Sequence, residues 1–140
     1  MKILANVLNY IINFYSTVPP ESGGILGGTQ NTITEYYHDN SIQSDMIAEY
    51  IPNIFHLNIK IHTWYKNGIE FYGLIHSHPS AEDTLSSSDI DYITNIMKAI
   101  PETNLSLYFP IIIPHQKIIP YIAQKKDNNI KISKDILQII

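Results

Sequence analysis

Two histidines stand two positions apart in the stretch "GLIHSHPSAEDTLSSSDID": His76 and His78, with Pro79 directly after them. The chain has six histidines in all, so this pairing is a local concentration of imidazole. If the residues leading up to them form a strand, side chains two apart share a face, and Ser77 turns the other way. Both rings then project from one side of the strand's end, a natural start to a tetrahedral zinc site. There is no cysteine, so any further protein ligand must be His, Asp or Glu. Asp89 opens the next helix and can swing back toward the strand end. Two histidines and one carboxylate leave the fourth tetrahedral position to water, the arrangement of a catalytic zinc rather than a structural one.

Each ingredient also has a plain structural reading. A His-x-His pair is more often a polar strand end than a metal site. Ser86-x-x-Asp89 is how many helices start, and Ser88-x-x-Asp91 repeats the spacing, so capping alone does not single out Asp89. His56 and His62 fall on different faces of a predicted helix, His38 ends a strand and His115 sits in a turn. Surface or packing roles are expected for all four.

The elements that must carry these residues are legible in outline. "IEFYGLIHSHP" reads as a strand ended by Pro79, followed by the polar loop "SAEDTLSS" and a helix in which Ile90, Ile93 and Met97 repeat until Pro101. Upstream, Ile3, Leu4, Val7, Leu8, Ile11 and Phe14 recur at helical spacing, and Pro19-Pro20 stop that helix. "GGILGGTQNTITEYYH" reads as a hairpin turning near Asn31, its glycines implying close approach by a neighbouring element or a ligand. Residues 41–52 read as loop with a turn of helix. Ile54, Leu57, Ile61 and Trp64 then share a helical face closed by Asn67-Gly68. "LSLYFPIII", "KIIPYIAQ" and "NIKIS" read as three strands, with turns at Pro114-His115 and Asp127-Asn128, before a short helix or extended tail. The expected fold class is α/β, one domain over 1–140, with a mixed β-sheet flanked by helices.

Composition excludes several functions. At 140 residues, 44% hydrophobic and 16% charged, the chain is expected to be a soluble globular domain with a real core. The net charge is −4 and all nine cations are lysines, so the bidentate arginine that reads phosphate and guanine is missing. No nucleic-acid partner is expected, and the ten tyrosines read as packing. Asn6, Asn9 and Asn13 interrupt the first apolar run and no small-residue cleavage site follows, so a retained amphipathic helix is expected there. No stretch reaches membrane-spanning length, and a cytoplasmic location with no membrane partner is the default expectation.

Taken together, His76-Ser77-His78-Pro79, the seven residues from Pro79 to Leu85, and Ser86-x-x-Asp89 resemble the signature of the JAB/MPN (JAMM) metalloproteases. Glu21, at the head of "ESGGILGG", is similar to that family's amino-terminal glutamate before a glycine-rich first strand. Gly27 departs from the pattern, standing where bacterial members more usually carry a bulky apolar residue, a variation in packing. The likeness runs from the first helix to about Ala123. It implies a single MPN/JAB-type, cytidine-deaminase-like domain with one catalytic Zn2+ held by His76, His78 and Asp89. It gives Glu21 the role of general base on the attacking water and Ser86 that of hydroxyl donor to the developing oxyanion. Neither Ser77 nor Ser86 sits in a nucleophile elbow, so no covalent serine intermediate is expected.

For such a family the implied reaction is hydrolysis of the peptide or isopeptide bond after the carboxy-terminal glycine of a ubiquitin-like protein. The tail would lie extended, adding as a strand to a sheet edge, and 41–52 is the expected place of substrate contact. The compact format and Ile/Asn/Lys-rich composition look bacterial. The implied partners are therefore a ubiquitin-like protein or its conjugates, with the activating and conjugating enzymes of the same system, in an antiphage setting. Two alternatives stand beside this: a non-catalytic MPN scaffold, disfavoured because all five site residues are present, and a JAB peptidase acting on sulfur-carrier proteins or other peptides.

Overall fold

Ten short strands join in one sheet, and three helices pack on it, in a computed structural model that describes residues 1–40 and 49–140. In chain order the elements are β1 (Lys2–Ile3), α1 (Ala5–Phe14), β2 (Gly23–Thr29), β3 (Thr32–His38), α2 (Ile54–Lys66), β4 (Glu70–Ser77) and α3 (Ser87–Ala99). There follow β5 (Asn104–Tyr108), β6 (Ile111–Ile113), β7 (Lys117–Ile119), β8 (Tyr121–Lys126), β9 (Asn129–Lys134) and β10 (Gln138–Ile139). The loop with a helical turn expected over 41–52, and the substrate contact expected there, fall for residues 41–48 outside the described residues.

The sheet is mixed. Its order is β10-β1-β3-β2-β4-β5-β8-β9, with β6 beside the end of β4 and β7 beside β6. β2, β3 and β4 run antiparallel, whereas α3 crosses over so that β5 and β6 lie parallel to β4. The β2–β3 hairpin turns at Gln30-Asn31, both with positive φ, the two-residue turn whose twist matches the flanking strands. Alternation along the strands divides the core: Leu26 and Ile75 face α1, with its Leu8 and Ile11, while Ile25 and Leu74 face α2 and α3, with Leu57, Trp64, Ile93 and Met97. Burying these two apolar layers is the main force holding the sheet between its helices.

Two glycines decide how closely the layers approach. Gly73 has φ of +140°, and a Cβ there would lie 1.7 Å from the Tyr108 carbonyl oxygen, so only glycine admits β5 beside β4. A Cβ on Gly27 would lie 2.7 Å from the Trp64 indole. The bulk missing from the strand at Gly27 is supplied by α2.

Several local expectations are corrected. "LSLYFPIII" is two strands and so is "KIIPYIAQ", because Pro110 and Pro120 have no N–H for the ladder. The breaks face one another, with Phe109 N–H donating to Tyr121 O at 2.8 Å, so the hairpin bends there as a unit. Ile3 belongs to β1, which pairs in parallel with both β3 and β10; of the two forms expected for the carboxy-terminal residues, the extended one is found, as β10. Ile90, Phe14 and Ile54 end their apolar stripes on the exposed flank instead of in the core. Among the described residues no helix is long and apolar enough to cross a membrane.

Candidate metal centre

β4 delivers both imidazoles. His76 N–H donates to Pro110 O and His78 N–H to Ile112 O, so the parallel neighbour β6 holds the strand end straight while both side chains are buried. Ser77 points the other way, as period-two geometry requires, and its Oγ accepts the Ser22 N–H at 3.0 Å. The Ser77 N–H donates to Ser22 O at 2.8 Å, and this pair of bonds pins the residue next to Glu21 against the strand.

The ligand atoms converge. His76 Nε2 and His78 Nε2 are 2.8 Å apart, and each lies 3.2 Å from Asp89 Oδ2. A tetrahedral zinc with bonds near 2.0–2.1 Å holds its ligand atoms about 3.3 Å apart; the two edges to Asp89 match that spacing, and the edge between the imidazoles is shorter. The second ring nitrogens support the same assignment. His78 Nδ1 is 2.8 Å from the Glu82 carbonyl, which can only accept, so Nδ1 carries the proton and Nε2 presents its lone pair inward. His76 Nδ1 is 3.1 Å from the Tyr92 hydroxyl. With the phenol oxygen accepting from Nδ1–H, that Nε2 is also a lone pair. With both rings in that tautomer, three inward lone pairs on buried groups repel one another unless a cation lies among them. The donor set, two imidazoles and one carboxylate, suits zinc.

Asp89 comes from the first turn of α3. Ser86 is the N-cap: its Oγ accepts the Asp89 N–H, and the Asp89 carboxylate accepts the Ser86 N–H, a complete capping box. The capping reading and the ligand reading of Ser86-x-x-Asp89 are therefore both true of one side chain. Between the protein groups themselves, burial alone would raise the Asp89 pKa. The imidazoles and the Ser86 N–H outweigh it and hold the carboxyl well below the usual range. For His78, burial disfavours the charged form, but Asp89 and the Glu82 carbonyl prevail and its pKa is raised.

Glu21 stands just outside the triangle. Its Oε1 is 3.8 Å from His78 Nε2, and its Oε2 accepts the Tyr50 N–H at 3.2 Å. Glu21, His76, His78 and Asp89 each bring one ligand atom into a group lying within 4.8 Å of one another. Partial burial raises the Glu21 pKa against the pull of the Tyr50 N–H and both imidazoles. Ser86 joins the group through Asp89, and its hydroxyl hydrogen remains free to donate because its oxygen is the acceptor in the cap. The other histidines stay away, as expected: His38 Nδ1 meets the Tyr36 hydroxyl, His56 Nε2 meets the Tyr37 hydroxyl at 3.0 Å, and His62 and His115 are exposed.

Tyr92, Tyr50 and the Glu82 carbonyl were not legible as parts of the site. Tyr92 had a signal, since it lies three residues after Asp89 on one helical face. Burial, with the Asp89 and Glu21 carboxylates nearby, raises its pKa and keeps it a neutral phenol. Tyr50 had none, because nothing local ties it to the histidines.

No family model matches the chain, and no curated protein does. Solved structures are similar to it over its whole length. A protein from Desulfitobacterium hafniense aligns with a TM-score of 0.63 and 20% identity, covering 100% of this chain and 94% of its own. A JAB1/MPN domain protein from Archaeoglobus fulgidus aligns with a TM-score of 0.59 and 17% identity, covering 100% and 99%. A protein from Salinibacter ruber aligns at 0.60 with 13% identity, covering 100% and 92%. At these identities the likeness establishes the fold, a mixed α/β arrangement of the MPN/JAB kind. Within it lies a Glu-His-His-Asp group able to bind a metal ion.

Proposed function

We propose that this protein is a zinc-dependent peptidase or isopeptidase that cleaves directly after the carboxy-terminal glycine of a ubiquitin-like protein. The observation that carries the reading is the convergence of His76, His78 and Asp89 on one point, with Glu21 set back beside it. A zinc ion held by those three residues would supply Lewis-acid chemistry, activating water near neutral pH and polarising the scissile carbonyl.

The remaining work falls to the chain's own groups. Glu21, half-buried and with a raised pKa, is a stronger base than an exposed glutamate; it takes the proton from the attacking water and passes it to the leaving amine. Its set-back position leaves room for that water. The Ser86 hydroxyl, its oxygen fixed by the Asp89 N–H, donates its hydrogen to the oxygen on which charge develops. The Glu82 carbonyl holds His78 in the metal-binding tautomer, and the Tyr92 oxygen, accepting from His76 Nδ1–H, orients the other ring for the same role.

The substrate class rests on the motif resemblance and on the shared fold. On that reading the partners are a ubiquitin-like modifier or sulfur carrier, free or joined to a target, and the activating and conjugating enzymes of one bacterial defence system. The test is a substrate trap. Tagged, zinc-loaded Glu21→Gln expressed in the native host should retain a small protein ending in glycine, identified by mass spectrometry. A zinc-loaded trap that retains only peptides or nothing would overturn the modifier as substrate.

A further inference from the structure

Tyr50 ties the connection between β3 and α2 to the candidate metal centre at two points, and a third contact holds Tyr50 itself. Its main-chain N–H donates to Glu21 Oε2 at 3.2 Å. Its ring lies almost parallel to the His76 imidazole, centroids 6.4 Å apart and planes inclined by 14°. Its hydroxyl donates to Asp39 Oδ2 at 2.8 Å, a hydrogen bond to a carboxylate and so among the stronger kind. Both residues are buried.

Asp39 is itself well held. Its main-chain N–H donates to Gly23 O at 2.9 Å, and its carboxylate also accepts the N–H of Asn53, the N-cap of α2. Gly23 leaves the space in which the Tyr50 ring sits, since a Cβ there would lie 2.5 Å from that ring. His76 is fixed by a strand and Asp89 by a helix cap, whereas Glu21 lies before β2 begins and outside any regular element. Its carboxylate therefore depends on the donor that Tyr50 brings.

We propose that Tyr50 is a positioning residue for Glu21: Asp39 clamps the Tyr50 hydroxyl, the clamp fixes the Tyr50 main chain, and the main-chain N–H aims the Glu21 carboxylate at the cluster. The catalytic consequence rests on the function proposed above; the placement of Glu21 does not.

Amide NMR of the 15N-labelled full chain, loaded with zinc, reads the placement directly. The residue-50 amide proton should move upfield in Glu21→Gln, which removes the charged acceptor, and in the same direction in Tyr50→Phe and Asp39→Asn, which release the clamp. With zinc stoichiometry and KM unchanged, Tyr50→Phe should lower kcat about 10-fold, a part of what general acid–base catalysis contributes. In a Glu21→Gln background it should lower kcat no further, because the two act as one unit. A residue-50 amide indifferent to Glu21→Gln, or an equal kcat loss in both backgrounds, would overturn the proposal. A wild-type protein that hydrolyses nothing would count against the proposed function alone, and the amide shifts would still decide whether Tyr50 places Glu21.

Discussion

Asp89 and Ser86 hold each other: Asp89 N–H donates to Ser86 Oγ at 3.1 Å, and Ser86 N–H donates to Asp89 Oδ2 at 2.9 Å. The same Oδ2 stands 3.2 Å from both inward imidazole nitrogens. The start of α3 and the third candidate metal ligand are thus one group, placed where the helix N-terminus favours negative charge.

Asp89→Ala should therefore lose two things at once. The purified protein should carry substoichiometric zinc, and the broken cap should cost about 1 kcal/mol of stability in the metal-free form. Metal analysis and urea unfolding read these separately. Full zinc occupancy in this variant would mean that a different residue supplies the third ligand.

Glu21→Gln should behave oppositely. Glutamine matches glutamate in shape and can still accept the Tyr50 N–H, and Glu21 lies outside the triangle of ligand atoms. Zinc content should be that of the wild type while kcat falls by about 10³-fold, within the range for loss of a general base. Activity retained at wild-type level would remove Glu21 from the mechanism.

Tyr92→Phe removes the oxygen facing His76 Nδ1 and little else. Loss of such a partner typically lowers metal affinity by about 10–100-fold, by freeing the tautomer and the ring orientation. Competition with a chromophoric chelator measures this. An unchanged zinc affinity would show that the hydroxyl does not orient His76.

The raised pKa of His78 sets the sign of a pH effect. Below that pKa the ring is an imidazolium, and zinc must displace its proton to bind. Apparent zinc affinity should rise with pH, by about tenfold per unit where one proton is displaced, and level off above the raised value. Without metal the sign reverses. The stability contributed by His78 is fully present below its unfolded pKa, near 6.5, and is lost as pH rises through the higher folded value. The gain in Tm on adding zinc should therefore widen from about pH 6 to 8, the range in which histidine charge changes. A gain independent of pH would contradict the coupling.

Gly27 and Trp64 should be energetically coupled, since a Cβ on Gly27 would press on the indole at 2.7 Å. Gly27→Ala should destabilise the protein by about 1–3 kcal/mol through overpacking. In a Trp64→Leu background the same change should cost less, and equal costs in a double-mutant cycle would rule out the contact as the cause.

Much of the site is local and was readable from the residues alone. His76 and His78 share a face because a strand repeats every two residues, and Asp89 lies at the third helical position because a helix start fixes that spacing from Ser86. The turns at Gln30-Asn31 and Asp127-Asn128 follow from residue types that tolerate positive φ. The choice between Ser86 and Ser88 as the cap was not readable, because both have an acid three residues on; only Asp89 faces the buried imidazoles, while Asp91 is exposed. Nor were the breaks at Pro110 and Pro120 as a shared bend, or the pairing of β1 with β10, since each needs a partner far along the chain. Glu21 reaches His78 through the Ser22–Ser77 bonds, and Tyr50 reaches Glu21 through the Asp39 clamp. Residue types and short-range periods determined which groups could bind a metal and on which face they lie. The approach of Glu21 and Tyr50 was decided by the packed sheet, because contacts between segments distant in sequence leave no periodic trace in it.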